Sequence, residues 1–262
     1  GINDFFYLEP VGSGEKPGTL RVKNSRAWVG EIEEACLRPV IKSPKEAKSM
    51  VVDPASLKYR LFLPPIDPKA DDLEVELRMA YPLAYQYVRW GAQQRTSQGQ
   101  PWPNVPSVGG RKAWWLLGLL PRVDFLISRF IDRRFFIPAL RQTEIADTFF
   151  VGESINEENI NLLIALMNST LYYFEIELKG RVNLGEGLLT FYGPDIKSTL
   201  VINPEHISHN SKANILKTYK ALQKRKIKNI SEEMKQEDRK ALDAAVLEAL
   251  GLDPERYLPR IY

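Results

Sequence analysis

Cysteine is nearly missing from this sequence: Cys36 is the single one in 262 residues. That excludes an internal disulfide framework and suits a reducing compartment, so a cytoplasmic location is expected. Flanked by Ala35 and Leu37, Cys36 reads as a small core filler rather than a reactive thiol. Histidine is almost as scarce. His206 and His209 are the only two, and beside Pro204, with no cysteine or third ligand, they read as a surface turn and not as a metal site. Long apolar runs are missing as well. The longest, 113–127, contains Arg122 and Asp124 and is too short to cross a bilayer, so no membrane partner is expected. Nor is one charge in excess: 36 basic and 33 acidic side chains leave a net charge of +3, which by itself designates no partner. The placement of the charges carries more information than their sum.

Catalytic signatures are missing too. There is no nucleophile elbow, P-loop or glycine-rich dinucleotide loop. The string Gly180-Arg181-Val182-Asn183-Leu184-Gly185-Glu186-Gly187 superficially suggests a phosphate loop. It lacks the Lys-Ser/Thr pair that would hold phosphate and metal, and it follows a helical pattern instead of a strand. Catalysis by this chain alone is not expected, nor is a metal or cofactor within it.

What is present is ordinary globular composition, 44 % hydrophobic and 26 % charged. That lies far from the low hydrophobicity and high net charge of disordered chains. The length allows one large domain, or a domain with a smaller appendage. Strands are expected at 5–8 and 19–22, around a Gly/Pro-rich turn at 12–18, and at 59–63 before Pro64-Pro65. Residues 32–36 are expected to begin a short helix, and a longer one runs from Tyr81 to Gln94 with Pro82 in its first turn. A long loop, 95–110, follows. Trp114-Trp115 reads as a helical turn, and 122–128, 135–137 and 148–151 read as strands. The spacing of Ile160, Leu163, Ile164, Met167, Leu171 and Phe174 predicts one amphipathic helix over 156–178. A last strand at 197–202 and two helices, 211–228 and 231–250, complete the pattern, with Ser231 as N-cap and Gly251 as the stop of the second.

The expected fold class is therefore mixed α/β (α+β): a twisted mixed or antiparallel sheet with packed helices and a C-terminal helical tail. Residues 1–204 are expected to form one domain and 205–262 a helical appendage packed on it. The chain opens at Gly1 directly on a strand-like segment, so it is expected to be a piece of a longer protein.

Two basic stretches stand out. Between 111 and 141 seven Arg/Lys face two Asp, and Arg122, Arg129, Arg133, Arg134 and Arg141 are interleaved with Phe125, Phe130, Phe135 and Phe136. Arginine among aromatics suits contacts to phosphates, grooves and unstacked bases. The plain alternative is an edge strand with solvated side chains. From Lys212 to Lys228 there are seven basic residues and no acid, which fits either a solvated helix face or non-specific attraction to phosphates.

The order of several short motifs then becomes informative. It runs Gly1-Ile2-Asn3-Asp4-Phe5-Phe6-Tyr7, Leu37-Arg38-Pro39-Val40-Ile41-Lys42, Tyr59-Arg60-Leu61-Phe62-Leu63-Pro64-Pro65, Tyr81-Pro82-Leu83-Ala84-Tyr85 and Trp114-Trp115-Leu116-Leu117-Gly118. Pro121-Arg122-Val123, Asp132-Arg133-Arg134-Phe135 and Leu166-Met167-Asn168-Ser169-Thr170-Leu171 follow. In that order they resemble the C-terminal specificity domain of TaqI-like and type IIG (Eco57I-like) adenine-N6 DNA methyltransferases of restriction-modification systems. The resemblance covers nearly the whole chain, and 179–204 looks closest to a subgroup of large bacterial methylase-type proteins.

The resemblance implies that a catalytic domain precedes this one and carries both S-adenosylmethionine and an Asn-Pro-Pro-aromatic motif. Here the only Asn-Pro is Asn203-Pro204, followed by Glu205, so the chemistry is expected outside the chain. The implied partners are double-stranded DNA and that N-terminal methyltransferase domain. Under this reading Arg129, Arg133, Arg134 and the loop residues Lys179, Arg181, Asn183 and Glu186 contact DNA, and Lys42 and Arg95 are further candidates for phosphates. Asn168, Ser169 and the Trp114-Trp115 pair read as structural. Two rivals remain open. One is a docking module that reads no bases; the other is a nuclease built on Asp71, Asp72, Glu74 and Glu76, which also read as an exposed linker into the helix at Tyr81.

Overall fold

Gly18, at φ +73°, takes a backbone conformation that side chains disfavour and turns the chain between its first two long strands. The computed structural model describes residues 1–118, 120, 123–141, 143–145, 149–153, 159–182 and 188–262. Its strands are β1 (Tyr7–Ser13), β2 (Thr19–Lys23), β3 (Val29–Glu33), β4 (Leu37–Ile41) and β5 (Tyr59–Phe62). These are followed by β6 (Phe125–Ser128), β7 (Phe130–Ile131), β8 (Glu144–Ile145), β9 (Phe149–Gly152) and β10 (Leu189–Thr190). The helices are α1 (Asn3–Phe6), α2 (Leu73–Ala80), α3 (Pro82–Ala92), α4 (Ile160–Met167) and α5 (Thr170–Lys179). Then come α6 (Gly193–Lys197), α7 (His209–Leu222), α8 (Ile230–Glu233), α9 (Glu237–Ala249) and α10 (Pro254–Ile261). The mixed α/β class expected from the sequence is the class observed.

The chain forms two compact units interleaved along the sequence. One comprises Gly1–Lys42, Asp53–Pro121 and Gln142–Ala146; the other comprises Ser43–Val52, Arg122–Arg141 and Asp147–Tyr262. This division cuts across the boundary expected at residue 204. Residues 205–262 do not stand apart: Ile215, Tyr219, Leu222, Leu242 and Val246 share one core with Leu162, Ile164 and Leu166.

The first unit is built on a six-stranded sheet of order β3-β2-β1-β5-β4-β8, antiparallel throughout except for the parallel β4–β8 pair. Its core is aromatic. Phe5 stacks on Tyr87 at 4.6 Å, and the rings of Phe62, Trp102 and Trp114 close around Phe5. The Tyr87 hydroxyl donates to the Phe5 carbonyl at 2.7 Å and accepts from Asn24, so its polar tip is satisfied inside the core. Helix α3 starts at Pro82, which lacks an N–H, and the carboxylate of Glu33 accepts the next two, from Leu83 at 2.8 Å and Ala84 at 2.9 Å. The acidic stretch 71–76 is not a linker. Asp72 caps α2 by accepting from Glu74 and Val75, and Glu74 and Glu76 lie in its first turn, the positive end of the helix dipole.

Gly91 lies where α3 meets those rings. A Cβ there would stand 2.7 Å from both the Phe5 and the Trp114 side chains. We therefore expect Gly91→Ala to destabilise the protein by about 1–3 kcal/mol despite alanine's better helix propensity, because the rings must shift in a packed core. Urea unfolding followed by tryptophan emission checks this, and an unchanged or raised midpoint would refute it.

The second unit has two short antiparallel ribbons, β6–β9 and β7–β10, with helices packed on them. The helix expected over 156–178 is broken at Asn168-Ser169 into α4 and α5. The break has a polar cause. Asn168, 1 % exposed, accepts from the Ile137 N–H at 2.9 Å and donates to the Ile137 and Ile164 carbonyls at 2.8 and 2.9 Å. Ser169 caps α5 by accepting from Tyr172 and donates to Leu166. The Ile137 backbone is bonded in this way to Asn168, and residues 135–137 form no strand.

The strand expected at 197–202 is not there. Gly193-Pro194 open the short helix α6, which runs to Lys197, and 198–202 have no regular structure. The two expected C-terminal helices are four. Asn229, not Ser231, caps α8, and α9 starts afresh at Glu237. Gly251, at φ +74°, ends α9 as expected, and Asp253 then caps α10. Near the N-terminus, residues 3–6 form a helical turn before β1, and Glu34–Cys36 a single 3-10 turn. Among the described residues no helix is long and apolar enough to cross a membrane.

Candidate nucleic-acid interface

The ribbon β7–β10 joins chain segments far apart in sequence. Thr190 pairs with Phe130, and the Phe191 N–H donates to the Arg129 carbonyl at 3.0 Å. On the other side of β10, Arg181 and Thr190 exchange backbone hydrogen bonds of 3.1 and 2.9 Å. Arg129, Phe130, Thr190 and Arg181 are thus fixed by backbone pairing, which is more precise than placement by loops. Arg129, Phe130 and Thr190 line an open cavity of about 420 Å³ together with Phe150, Phe191 and Tyr192.

The charges here rest on rings. The Arg129 guanidinium stands 5.2 Å over the centre of Phe150, and that of Arg181 stands 5.2 Å over Tyr192. Arg181 also donates to Asp195 at 2.7 Å, and Asp195 in turn accepts from the Tyr192 N–H at 2.9 Å. The bond from Arg181 holds the Asp195 carboxyl below its usual range, and Asp195 raises the guanidinium correspondingly. The result is a cation held in one direction on an aromatic rim. Lys179, in the last turn of α5, lies two residues from Arg181 and 4.0 Å from Glu175.

The other expected contact residues lie elsewhere. Arg133 is in the second unit, its side chain 86 % exposed with Asp132 at 4.0 Å. Arg134 is engaged inside that unit: it donates to the Ala47 carbonyl at 3.3 Å and stands over Phe136 at 5.6 Å. Its evident work is to tie the 43–52 segment down, together with the Ile227 N–H bonded to Lys48 and the Val52 N–H bonded to Ala139. In the first unit, Lys42 lies 4.2 and 4.3 Å from the Tyr7 and Tyr59 rings, beside a cavity also lined by Asp4 and Glu9. Arg95 closes its own turn by donating to the Gly99 carbonyl at 2.8 Å. Asn183 and Glu186, with Gly185, Gly187 and Arg122, lie outside the described residues. In the basic run 212–228, Lys217, Lys220, Lys224 and Lys226 are exposed, whereas Arg225 is bound to Glu233 and Asp238.

Phe150, Thr190, Phe191 and Tyr192 were not singled out by sequence reasoning. The signal available was Thr190-Phe191-Tyr192, a β-branched and aromatic triplet immediately before Gly193-Pro194, within a stretch that otherwise reads as loop. Among the described residues no group of three or more His, Cys, Asp or Glu is placed to hold a metal ion. His206 ends a 3-10 turn and His209 opens α7. Cys36 is buried, and burial pushes its thiol up, which fits a core filler.

No family model and no curated protein matches the chain. Among solved structures, the chain is similar in fold to the type IIG restriction endonuclease BpuSI. The match has a TM-score of 0.54 and 14 % sequence identity and covers 84 % of this chain. It covers only 27 % of that enzyme's chain, so this chain spans about a quarter of the protein it resembles. At this identity the likeness is one of fold.

Proposed function

We propose that this chain is the DNA-recognition part of a restriction-modification adenine-N6 methyltransferase whose catalytic domain lies outside it. The observation that carries the reading is Arg129 in a cavity lined by aromatic rings, with Arg181 held over Tyr192 at its rim, on a fold similar to part of a type IIG endonuclease. A methyltransferase that acts on a stacked base must rotate it out of the duplex, at a cost of a few kcal/mol. A second domain that grips the DNA and reads its sequence makes that site-selective. In this reading Arg181, Lys179 and Arg133 meet phosphates and fix register, and Arg129 faces bases. S-adenosylmethionine and the methyl transfer belong to the absent domain, and the site of action is the cytoplasm.

The test is binding to duplex DNA by fluorescence anisotropy across a salt series, beside the double variant Arg129→Ala/Arg181→Ala. We expect salt-sensitive binding that weakens in the variant, with a logarithmic slope lower by about one for the phosphate that Arg181 no longer neutralises. Arg134 is left intact because its loss would release the 43–52 segment. No binding at low salt, or binding unchanged in the variant, would overturn the assignment and favour a docking module that reads no bases.

Asp195 provides a second prediction. Its carboxylate competes with phosphate for Arg181, so Asp195→Asn removes the competing charge while keeping an acceptor for the Tyr192 N–H. Affinity for duplex DNA is expected to rise several-fold, with a salt slope steeper by about one. Unaltered affinity in the same titration would show that Arg181 does not meet DNA.

A further inference from the structure

The cavity between β7, β10 and Phe150 holds an anomaly that backbone pairing does not explain. Thr190 is 6 % exposed, and its hydroxyl is buried with no hydrogen-bond partner. The Nε–H of Arg129 is likewise buried and without a partner. Five side-chain polar atoms among the described residues share this condition, and two of them belong to residues that line this one cavity. Buried polar groups are almost always bonded, because leaving one unpaired forfeits its hydration with nothing in return. Two at the same opening point to a ligand that supplies the missing partner.

The chemistry of that ligand can be read from the walls. Arg129 Nε–H only donates, so the ligand presents an acceptor; the Thr190 hydroxyl can donate or accept beside it. A bare phosphate would satisfy both, yet it has no use for rings. Phe130 and Tyr192 line the opening with 48 % and 52 % of their surfaces exposed, and Phe150 already carries the Arg129 guanidinium on its face. Half-exposed rings beside buried donors suit a flat heteroaromatic group that stacks on one face and accepts hydrogen bonds along an edge. About 420 Å³ lies within the range of small-ligand pockets, roughly 300–1,000 Å³. We propose that this cavity takes a single unstacked nucleobase, with Arg129 Nε and Thr190 Oγ1 on its edge and Phe130 or Tyr192 on its face. The inference rests on the DNA-recognition reading and adds to it that the chain grips an extruded base as well as the duplex.

The experiment compares two duplexes of identical sequence, one perfectly paired and one with a single unpaired 2-aminopurine at its centre. Affinity is read by anisotropy, and stacking by quenching of the 2-aminopurine emission. The wild-type chain is expected to bind the unpaired-base duplex about tenfold or more tightly, with quenching, as one base stacked on an aromatic ring provides. Thr190→Val, nearly isosteric, is expected to lose most of that preference while melting at or above the wild-type temperature, since it removes an unpaired buried hydroxyl. The double variant Phe130→Ala/Tyr192→Ala should lose the quenching.

Perfect duplex bound without any preference would overturn the pocket and leave the DNA-recognition reading standing. Unpaired-base DNA bound with quenching, but perfect duplex ignored, would support the pocket and overturn the duplex grip. Binding of neither would overturn both. A preference that survives both Thr190→Val and Phe130→Ala/Tyr192→Ala would overturn the pocket by placing the base elsewhere.

Discussion

Asn168→Leu is expected to lower the stability of this protein by about 3 kcal/mol or more, although leucine fills a similar volume. The amide of Asn168 satisfies both the N–H and the carbonyl of Ile137 and takes up the Ile164 carbonyl as well. Leucine offers none of these partners, and each buried group left unpaired costs about 1–3 kcal/mol. The main-chain carbonyl of Asn168 also accepts from Arg239, so the break between α4 and α5 is tied to α9. Urea unfolding followed by both helical ellipticity and tryptophan emission provides the test. Trp28, Trp90, Trp102, Trp114 and Trp115 all belong to the first unit, whereas Asn168 lies in the second. A lowered midpoint in both signals would report one cooperative molecule, and a fall in ellipticity alone would report units that unfold separately. Wild-type midpoints in both would overturn the prediction.

The same asparagine shows why the fold was only partly legible in the sequence. Residues 160–178 carry an unbroken helical apolar pattern, and nothing local marks Asn168-Ser169 as a break. The partner that stabilises it, Ile137, is 31 positions away. Where the determinant is local, expectation and structure agree: Pro82 and Gly251 lie at the helix ends that their restricted or permissive backbones favour. Asp72 is a missed local signal, a helix cap read as part of a linker. The boundary expected at residue 204 shows the opposite case. Apolar residues of α7 and α9 look like the face of a tail until the core they share with α4 is seen, and no periodicity within one helix says which other helix covers it.

For the site, residue type was the informative part and grouping was not. Arginines among aromatics drew attention to the stretch that holds Arg129, and Arg129 does rest on a phenylalanine. The ring is Phe150, though, and not one of the phenylalanines close to it in sequence. Arg133 and Arg134 are adjacent in sequence and part company in space, because the Ala47 carbonyl holds one while the other faces solvent. Arg181 and Thr190 come together only through the pairing of short extended segments, whose register depends on neighbours distant in the chain.

Arg225→Met is expected to destabilise the protein by about 2 kcal/mol at neutral pH and to change how stability depends on pH. Arg225 donates to Glu233 through both terminal nitrogens and to Asp238 at 2.6 and 2.7 Å, and Glu233 is nearly fully buried. Removing the cation leaves Glu233 with Arg239 at 3.2 Å as its charged partner and the Lys228 N–H at 3.1 Å, so an imperfectly compensated buried carboxylate remains. Burial alone would push the Glu233 carboxyl up, but the bonds from Arg225 and the charge of Arg239 outweigh it and hold it low. Asp238 is held low first by its hydrogen bond to Arg225. A carboxyl lowered in the folded state contributes stability that is complete above its unfolded value and is lost as pH falls through the folded one. The contribution of Arg225 should therefore be full at pH 6–7 and fade below about pH 4.

Asp243 acts in the opposite direction. Burial raises its carboxyl despite the bonds from Thr170 and Tyr262, so its own effect favours the folded state as pH falls. Because Asp243 is common to both proteins, the difference in melting temperature between wild type and Arg225→Met isolates the Arg225 cluster. That difference should hold from pH 7 down to about pH 5 and narrow below about pH 4. A difference constant across the range would mean that Arg225 acts by packing its aliphatic stem and not through the charges of Glu233 and Asp238.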